Sequence, residues 1–181
     1  MLSLKSGITK ELLNYFFINP QESLYVNELS RKLNLDKRNL VKKLRELEKE
    51  GILKSQAKGN LKLYSINTAY PLYREYGKII LKTVGFEGKL KGLLENTPGV
   101  SGAYLYGSYA KDKMNVNSDI DLLVVGGHNI LTLQRQLNRL QKDIDREINA
   151  VNMHDREFKR KVKDNDPFIL GILAGRYIKL I

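Results

Sequence analysis

Asp119 and Asp121 stand one residue apart at the head of an apolar run, Ile120, Leu122, Leu123, Val124 and Val125. Successive side chains of a strand alternate faces, so this spacing predicts both carboxylates on one side of an extended segment. Two acids on one face repel each other and are costly to desolvate unless a cation sits between them. Oxygen donors of this kind suit Mg²⁺, which keeps part of its shell for water and substrate phosphates. Upstream, Ala103, Tyr104, Leu105 and Tyr106 run straight into Gly107-Ser108, and ten residues separate that pair from Asp119. A Gly-Ser turn at a strand end can offer backbone N–H groups and a hydroxyl to the same phosphates. The pattern predicts a site for a metal–nucleoside triphosphate complex. The plainer reading is an Asp-rich turn that happens to open a strand. Against it, the acids enter the apolar run itself, and a second strand ending in Gly-Ser lies close upstream.

The elements that must position these residues follow from periodicity. From Val100 onward, strand and helix patterns alternate. Strands are expected at about 100–106, 119–126, 146–152 and 176–181, with a short helix near 108–112. A long amphipathic helix is expected at about 130–144 (Leu131, Leu133, Leu137, Leu140, Ile144), and two more at about 154–163 and 166–173.

The N-terminal part reads differently. Leu4, Ile8, Leu12, Tyr15 and Phe16 give a helix over 4–17 that Asn19-Pro20 ends. A second helix covers 26–33. A third has Asp36 as its cap, Leu40, Val41, Leu44 and Leu47 as its apolar stripe, and Gly51 at its close. Ile52 and Leu53, a Lys58-Gly59-Asn60 turn, then Leu61, Leu63, Tyr64 and Ile66 read as a hairpin. Three helices and a hairpin resemble a winged helix-turn-helix domain, here residues 1–68. Residues 69–97 read as a helical linker, with Pro71 in its first turn and an interruption at Gly85 and Gly88.

On the third helix, Arg38, Lys42, Arg45 and Lys49 fall opposite the apolar stripe, as entry into a DNA major groove requires. Lys54, Lys58 and Lys62 add charge on the hairpin, suited to phosphate or minor-groove contact. Double-stranded DNA is the expected partner of this face. An ordinary solvated face, with Glu46, Glu48 and Glu50 making local pairs, or a protein-interaction module, is the alternative.

The bulk composition fits without deciding. The chain has 181 residues and a net charge of +11, which favours a polyanionic partner. Residues 1–70 hold 13 basic against 7 acidic residues, so +6 falls there and +5 in the remainder; the excess does not single out one half. The absence of cysteine excludes disulfides, zinc-thiolate sites and thiol nucleophiles. No signal-like or membrane-spanning apolar stretch is present, and a cytoplasmic protein is expected. His128 and His154 have no partner at metal-ligand spacing and are expected at the surface.

The segment YGSYAKDKMNVNSDIDLLVV, Tyr106 to Val125, resembles the signature of the minimal nucleotidyltransferases of the DNA polymerase β superfamily. The whole chain resembles prokaryotic winged-helix proteins with such a domain appended. The resemblance implies an α+β fold: the winged helix-turn-helix, then a nucleotidyltransferase-type mixed sheet with flanking helices over 98–181. It implies that Gly107 and Ser108 cradle the triphosphate, helped by Lys111. It also implies that Asp119 and Asp121 bind two Mg²⁺ ions. The implied reaction moves a nucleoside monophosphate, AMP being expected, from ATP or another nucleoside triphosphate to an acceptor hydroxyl. Because no evident domain holds a small acceptor, a partner protein is the implied acceptor, as when such modules act as antitoxins.

One position departs from the family pattern. The third carboxylate, on the next core strand, best matches Asn149, which is no general base and a weaker ligand. Glu147, two residues earlier and on the same face, is the candidate substitute; Asp145 is a poorer one. Two functions therefore stay open. The first is a Mg²⁺-dependent nucleotidyltransferase coupled to a DNA-binding winged helix. The second is a DNA-binding transcriptional regulator with a nucleotide-binding but catalytically weak or inactive domain. Winged-helix proteins often dimerise, so a homodimer is expected.

Overall fold

A computed structural model describes residues 4–115 and 118–181. The chain divides into two compact units, Met1–Gly88 and Lys89–Ile181.

The first unit opens with α1 (Gly7–Ile18), whose Ser6 cap accepts a hydrogen bond from the Thr9 N–H at 3.4 Å. The two-residue β1 (Leu24–Tyr25), α2 (Val26–Lys32) and α3 (Lys37–Lys49) follow. The Asp36 carboxylate caps α3 by accepting from the Asn39 N–H at 3.0 Å, and Gly51 closes it at φ +77°, where a side chain would be strained. β2 (Leu53–Lys58) and β3 (Leu61–Ile66) form an antiparallel hairpin with Lys58 opposite Leu61. Leu24 and Tyr25 pair with Tyr64 and Leu63, giving a three-stranded sheet in the order β1-β3-β2. Two residues are too few for alternation to be visible in a sequence, and β1 exists because β3 offers it a free edge.

Leu12, Phe16, Leu29, Leu40, Leu44, Leu47, Ile52, Leu53 and Ile66 fill one core. Val41 stays only half-buried at the margin of the α3 stripe. α4 (Tyr73–Thr83) belongs to this unit, since its Ile80 is fully buried in the same core. Pro71 precedes α4 and does not enter its first turn, because Leu72 is the cap. The buried Asn14 accepts the Phe86 N–H at 2.8 Å where α5 (Phe86–Glu95) begins, and the boundary between units falls within α5.

The second unit continues with β4 (Val100–Tyr106), α6 (Gly107–Ala110), β5 (Ile120–Gly126) and α7 (Ile130–Ile144). β6 (Ile148–Met153), α8 (Asp155–Lys163), α9 (Pro167–Leu173) and β7 (Ile178–Lys179) complete it. The four strands lie in the order β6-β5-β4-β7. β5 runs antiparallel to β4 and parallel to β6, and β7 runs antiparallel to β4, so the sheet is mixed.

β5 is interior and every residue in it except Asp121 is buried, which is why it reads as an unbroken apolar run. On one face Leu123 and Val125 pack with Met153 and with Ile169 and Ile172 of α9; Phe158 of α8 completes that layer. α7 packs against β6 and buries Leu133, Leu137, Leu140 and Ile144. β7 is shorter than the 176–181 expected: its ladder with β4 pairs Ile178 and Lys179 with Leu105 and Tyr104, and the Leu180 N–H adds one bond to the Ala103 carbonyl. Among the described residues no helix is long and apolar enough to cross a membrane.

Candidate functional site

The site assembles at the ends of β4 and β5. The antiparallel register sets Tyr106, the last residue of β4, opposite Asp121. Gly107 then turns the chain into α6 at φ +69°. A Cβ placed on Gly107 would collide with Asp121 Oδ2, so the turn and the acid are in direct contact and only glycine fits between them.

Asp119 is exposed and Asp121 half-buried. Burial, with the charge of Asp119 second, pushes the Asp121 carboxyl above the ordinary carboxylate range. Burial likewise raises the Tyr106 phenol, and the Asp121 charge adds to it.

The parallel register of β5 and β6 puts Asn149 opposite Asp121. From there the Asn149 Nδ2 donates to Asp119 Oδ2 at 3.1 Å. Glu147 is exposed and meets β5 through its backbone, its carbonyl accepting the Ile120 N–H at 2.9 Å. Among the described residues no group of three or more Asp, Glu, His or Cys is placed to hold a metal, so Glu147 does not close a triad with the two aspartates here.

The donors present fit a hard divalent ion. They are two carboxylates, with one lifted in pKa by burial and by the other; the Asn149 amide presents its Nδ2 to Asp119.

Ser108 lies in α6, with its carbonyl accepting the Lys113 N–H at 3.0 Å. Lys111 is exposed at the end of α6, where its N–H bonds the Gly107 carbonyl at 3.3 Å. Val116 and Asn117, inside the signature segment, lie outside the described residues. Tyr106 meets Phe168 of α9 edge-on, with ring centroids 5.9 Å apart, so it packs as well as bordering the acids.

A second cluster lies on α3. Arg38, Lys42, Arg45 and Lys49 are all exposed and, with Val41 and Glu46, line one shallow groove along the helix. Glu46 accepts from Lys43 at 2.6 Å. Lys58 is exposed at the hairpin end. Lys62, expected to add charge on the hairpin, is paired within the unit. It donates to Glu48 at 2.7 Å, and Ser55 donates to the same carboxylate, which ties α3 to the hairpin. Those two hydrogen bonds, Lys62 first, hold the Glu48 carboxyl below its ordinary range.

His128 also departs from its expected place at the surface. It is only 7% exposed, and its Nε2 lies 2.7 Å from Asn152 Oδ1. Gly126 ends β5 at φ +140°, and Asn152 of β6 supplies the partner of His128.

The second unit has a mixed sheet with Asp121 on its interior strand β5, Asp119 just before that strand, and the Gly107 turn against Asp121. Residues 88–171, from α5 to α9, match the family model described as Polymerase beta, Nucleotidyltransferase. No curated protein is matched. The chain is similar to a solved toxin–antitoxin with AMP-PNP, at 21% identity and a TM-score of 0.39 over 52% of this chain and 72% of that one. It is similar to a mutant form of the toxin–antitoxin MntA-HpeT, at 18% identity and a TM-score of 0.39 over the same shares. A Sulfolobus solfataricus protein assigned as a nucleotidyltransferase is 20% identical, with a TM-score of 0.29 over 41% of this chain and 68% of its own.

Proposed function

We propose that this chain is a Mg²⁺-dependent nucleotidyltransferase that moves a nucleoside monophosphate, AMP in the first instance, onto an acceptor hydroxyl. The observation that carries the reading is the seating of Asp121 against Gly107. It puts an acid pair beside the turn that would take the triphosphate. In this reading the backbone N–H groups after Gly107 and the Ser108 hydroxyl hold the β- and γ-phosphates, and Lys111 balances their charge. Asp119 and Asp121 are the residues that would hold divalent ions. Bound there, such ions supply charge neutralisation for the attacking and leaving oxygens.

The acceptor oxygen bonds to the α-phosphorus as the bond to the β-phosphate oxygen breaks and pyrophosphate leaves. Asn149 cannot take the acceptor's proton, and Glu147, which does not group with the two aspartates in the metal-free chain, is the carboxylate we propose for that role once metal and substrate are bound. The N-terminal unit is proposed to be a winged helix-turn-helix that binds duplex DNA. Its α3 face of Arg38, Lys42, Arg45 and Lys49 would enter the major groove and Lys58 would meet phosphate.

A second reading is favoured by one observation, the hydrogen bond from Asn149 to Asp119. There the chain is a DNA-binding regulator that holds nucleotide with little or no turnover. Incubation with α-labelled nucleotides, Mg²⁺ or Mn²⁺ and a cell lysate separates the two. Label transferred to a macromolecule by the native chain and not by Asp119→Asn/Asp121→Asn supports the enzyme. Metal-dependent nucleotide binding with no transfer supports the regulator.

A further inference from the structure

We propose that Arg146 is the positioning residue for Asp119, an inference that rests on the nucleotidyltransferase reading above. The two aspartates are held by different means. Asp121 lies inside β5, paired with both neighbouring strands and pressed against Gly107. Asp119 lies before the first residue of β5 and is exposed; Asn149 of β6 holds its carboxylate, but strand pairing does not set its backbone.

Arg146 supplies what the sheet does not. Its Nη1 donates to the Asn115 carbonyl at 2.8 Å and to the Ser118 carbonyl at 3.2 Å. The same two residues are tied to each other: the Ser118 N–H donates to the Asn115 carbonyl at 3.2 Å, and the Asn115 N–H to Ser118 Oγ at 2.9 Å. Holding the Ser118 carbonyl fixes the plane of the Ser118–Asp119 peptide. One residue beyond Asp119, the Ile120 N–H donates to the Glu147 carbonyl at 2.9 Å. Asp119 is therefore bracketed on both sides by bonds from the 146–147 segment. Charge-assisted bonds to carbonyls are stronger than neutral ones, and a guanidinium can meet two acceptors while an ammonium acts as a point donor.

The test reads Mn²⁺ affinity by electron paramagnetic resonance on the full chain, alongside thermal melts. Arg146→Ala should weaken Mn²⁺ binding about tenfold, the low end for a group that orients a ligand. The melting midpoint should hardly move, and Arg146→Lys should recover only part of the affinity. In transfer assays the defect should appear in the KM for metal–nucleotide more than in kcat. Native affinity in Arg146→Ala overturns the proposal. So does a loss that tracks unfolding in the same samples while Arg146→Lys binds as the native chain does. Should Asp119→Asn/Asp121→Asn bind Mn²⁺ normally, the nucleotidyltransferase reading itself falls, a result distinct from an Arg146 effect that is missing beside intact aspartate dependence.

Discussion

Asn149 donates its side-chain amide to Asp119 Oδ2 at 3.1 Å, from the β6 position opposite Asp121. The amide is a donor with no charge to contribute. It fixes Asp119 as an acceptor and adds no third carboxylate to the pair. Asn149→Asp should make the metal-free protein less stable, because a third acid then joins the pair. It should also tighten Mn²⁺ binding and speed nucleotide transfer by about tenfold or more, equivalent to about 1.4 kcal/mol. Mn²⁺ titration and initial rates check this; unchanged affinity and rate would show that the amide is not what limits the site.

Gly107 tests the contact at the centre of the proposal. Gly107→Ala combines a residue at φ +69° with a methyl driven into Asp121. The expected cost of the backbone conformation is about 1 kcal/mol or more. Nucleotide affinity should fall at least about tenfold with secondary structure retained by circular dichroism. A Gly107→Ala chain that binds ATP normally would remove the turn from the site.

Asp121 predicts a pH dependence. Its folded pKa is raised above the unfolded value, so the folded chain holds that proton more tightly. As pH rises from the unfolded pKa through the raised folded one, the metal-free protein should lose stability, then level off. A divalent cation competes with the same proton, so metal binding should tighten over that window. Melting curves against pH with chelator and with Mg²⁺ measure both trends, and Asp121→Asn should flatten them.

On α3, Arg38→Ala/Lys42→Ala should weaken duplex binding and reduce the slope of log affinity against log salt by about 2, one for each phosphate left without its cation. Lys62→Ala should leave that slope alone, because Lys62 is already held by Glu48. Fluorescence anisotropy across a salt series checks both, and an equal effect from all three positions would mean a diffuse charge effect.

Leu44 and Val41 separate core from surface within one helix. Leu44 is fully buried, and Leu44→Ala should cost about 2–5 kcal/mol. Val41, half-buried beside the basic groove, should cost less as Val41→Ala, about 0.5–1.5 kcal/mol. Urea denaturation of the two variants gives the comparison directly.

What the chain declares by itself is whatever a local period records. Leu133, Leu137, Leu140 and Ile144 repeat at helical spacing, and their burial follows it. Ile120 to Val125 announce an interior strand, and the Asp119, Asp121 and Gly107-Ser108 pattern announces the acids and the turn. Other features depend on which distant segments come to lie side by side. That Asn149 faces Asp119 follows from the parallel register of β5 and β6, set by two strands with α7 between them. β1 is a strand only because β3 has an edge for it, Lys62 is paired only because the hairpin folds against α3, and His128 is buried only where β6 meets it. Arg146 gives no signal in its own neighbourhood, since its acceptors lie about thirty residues upstream. A periodic pattern reports which face of an element is covered, because burial repeats with the element's geometry. It carries no information on register between elements, and register decides which groups share the site.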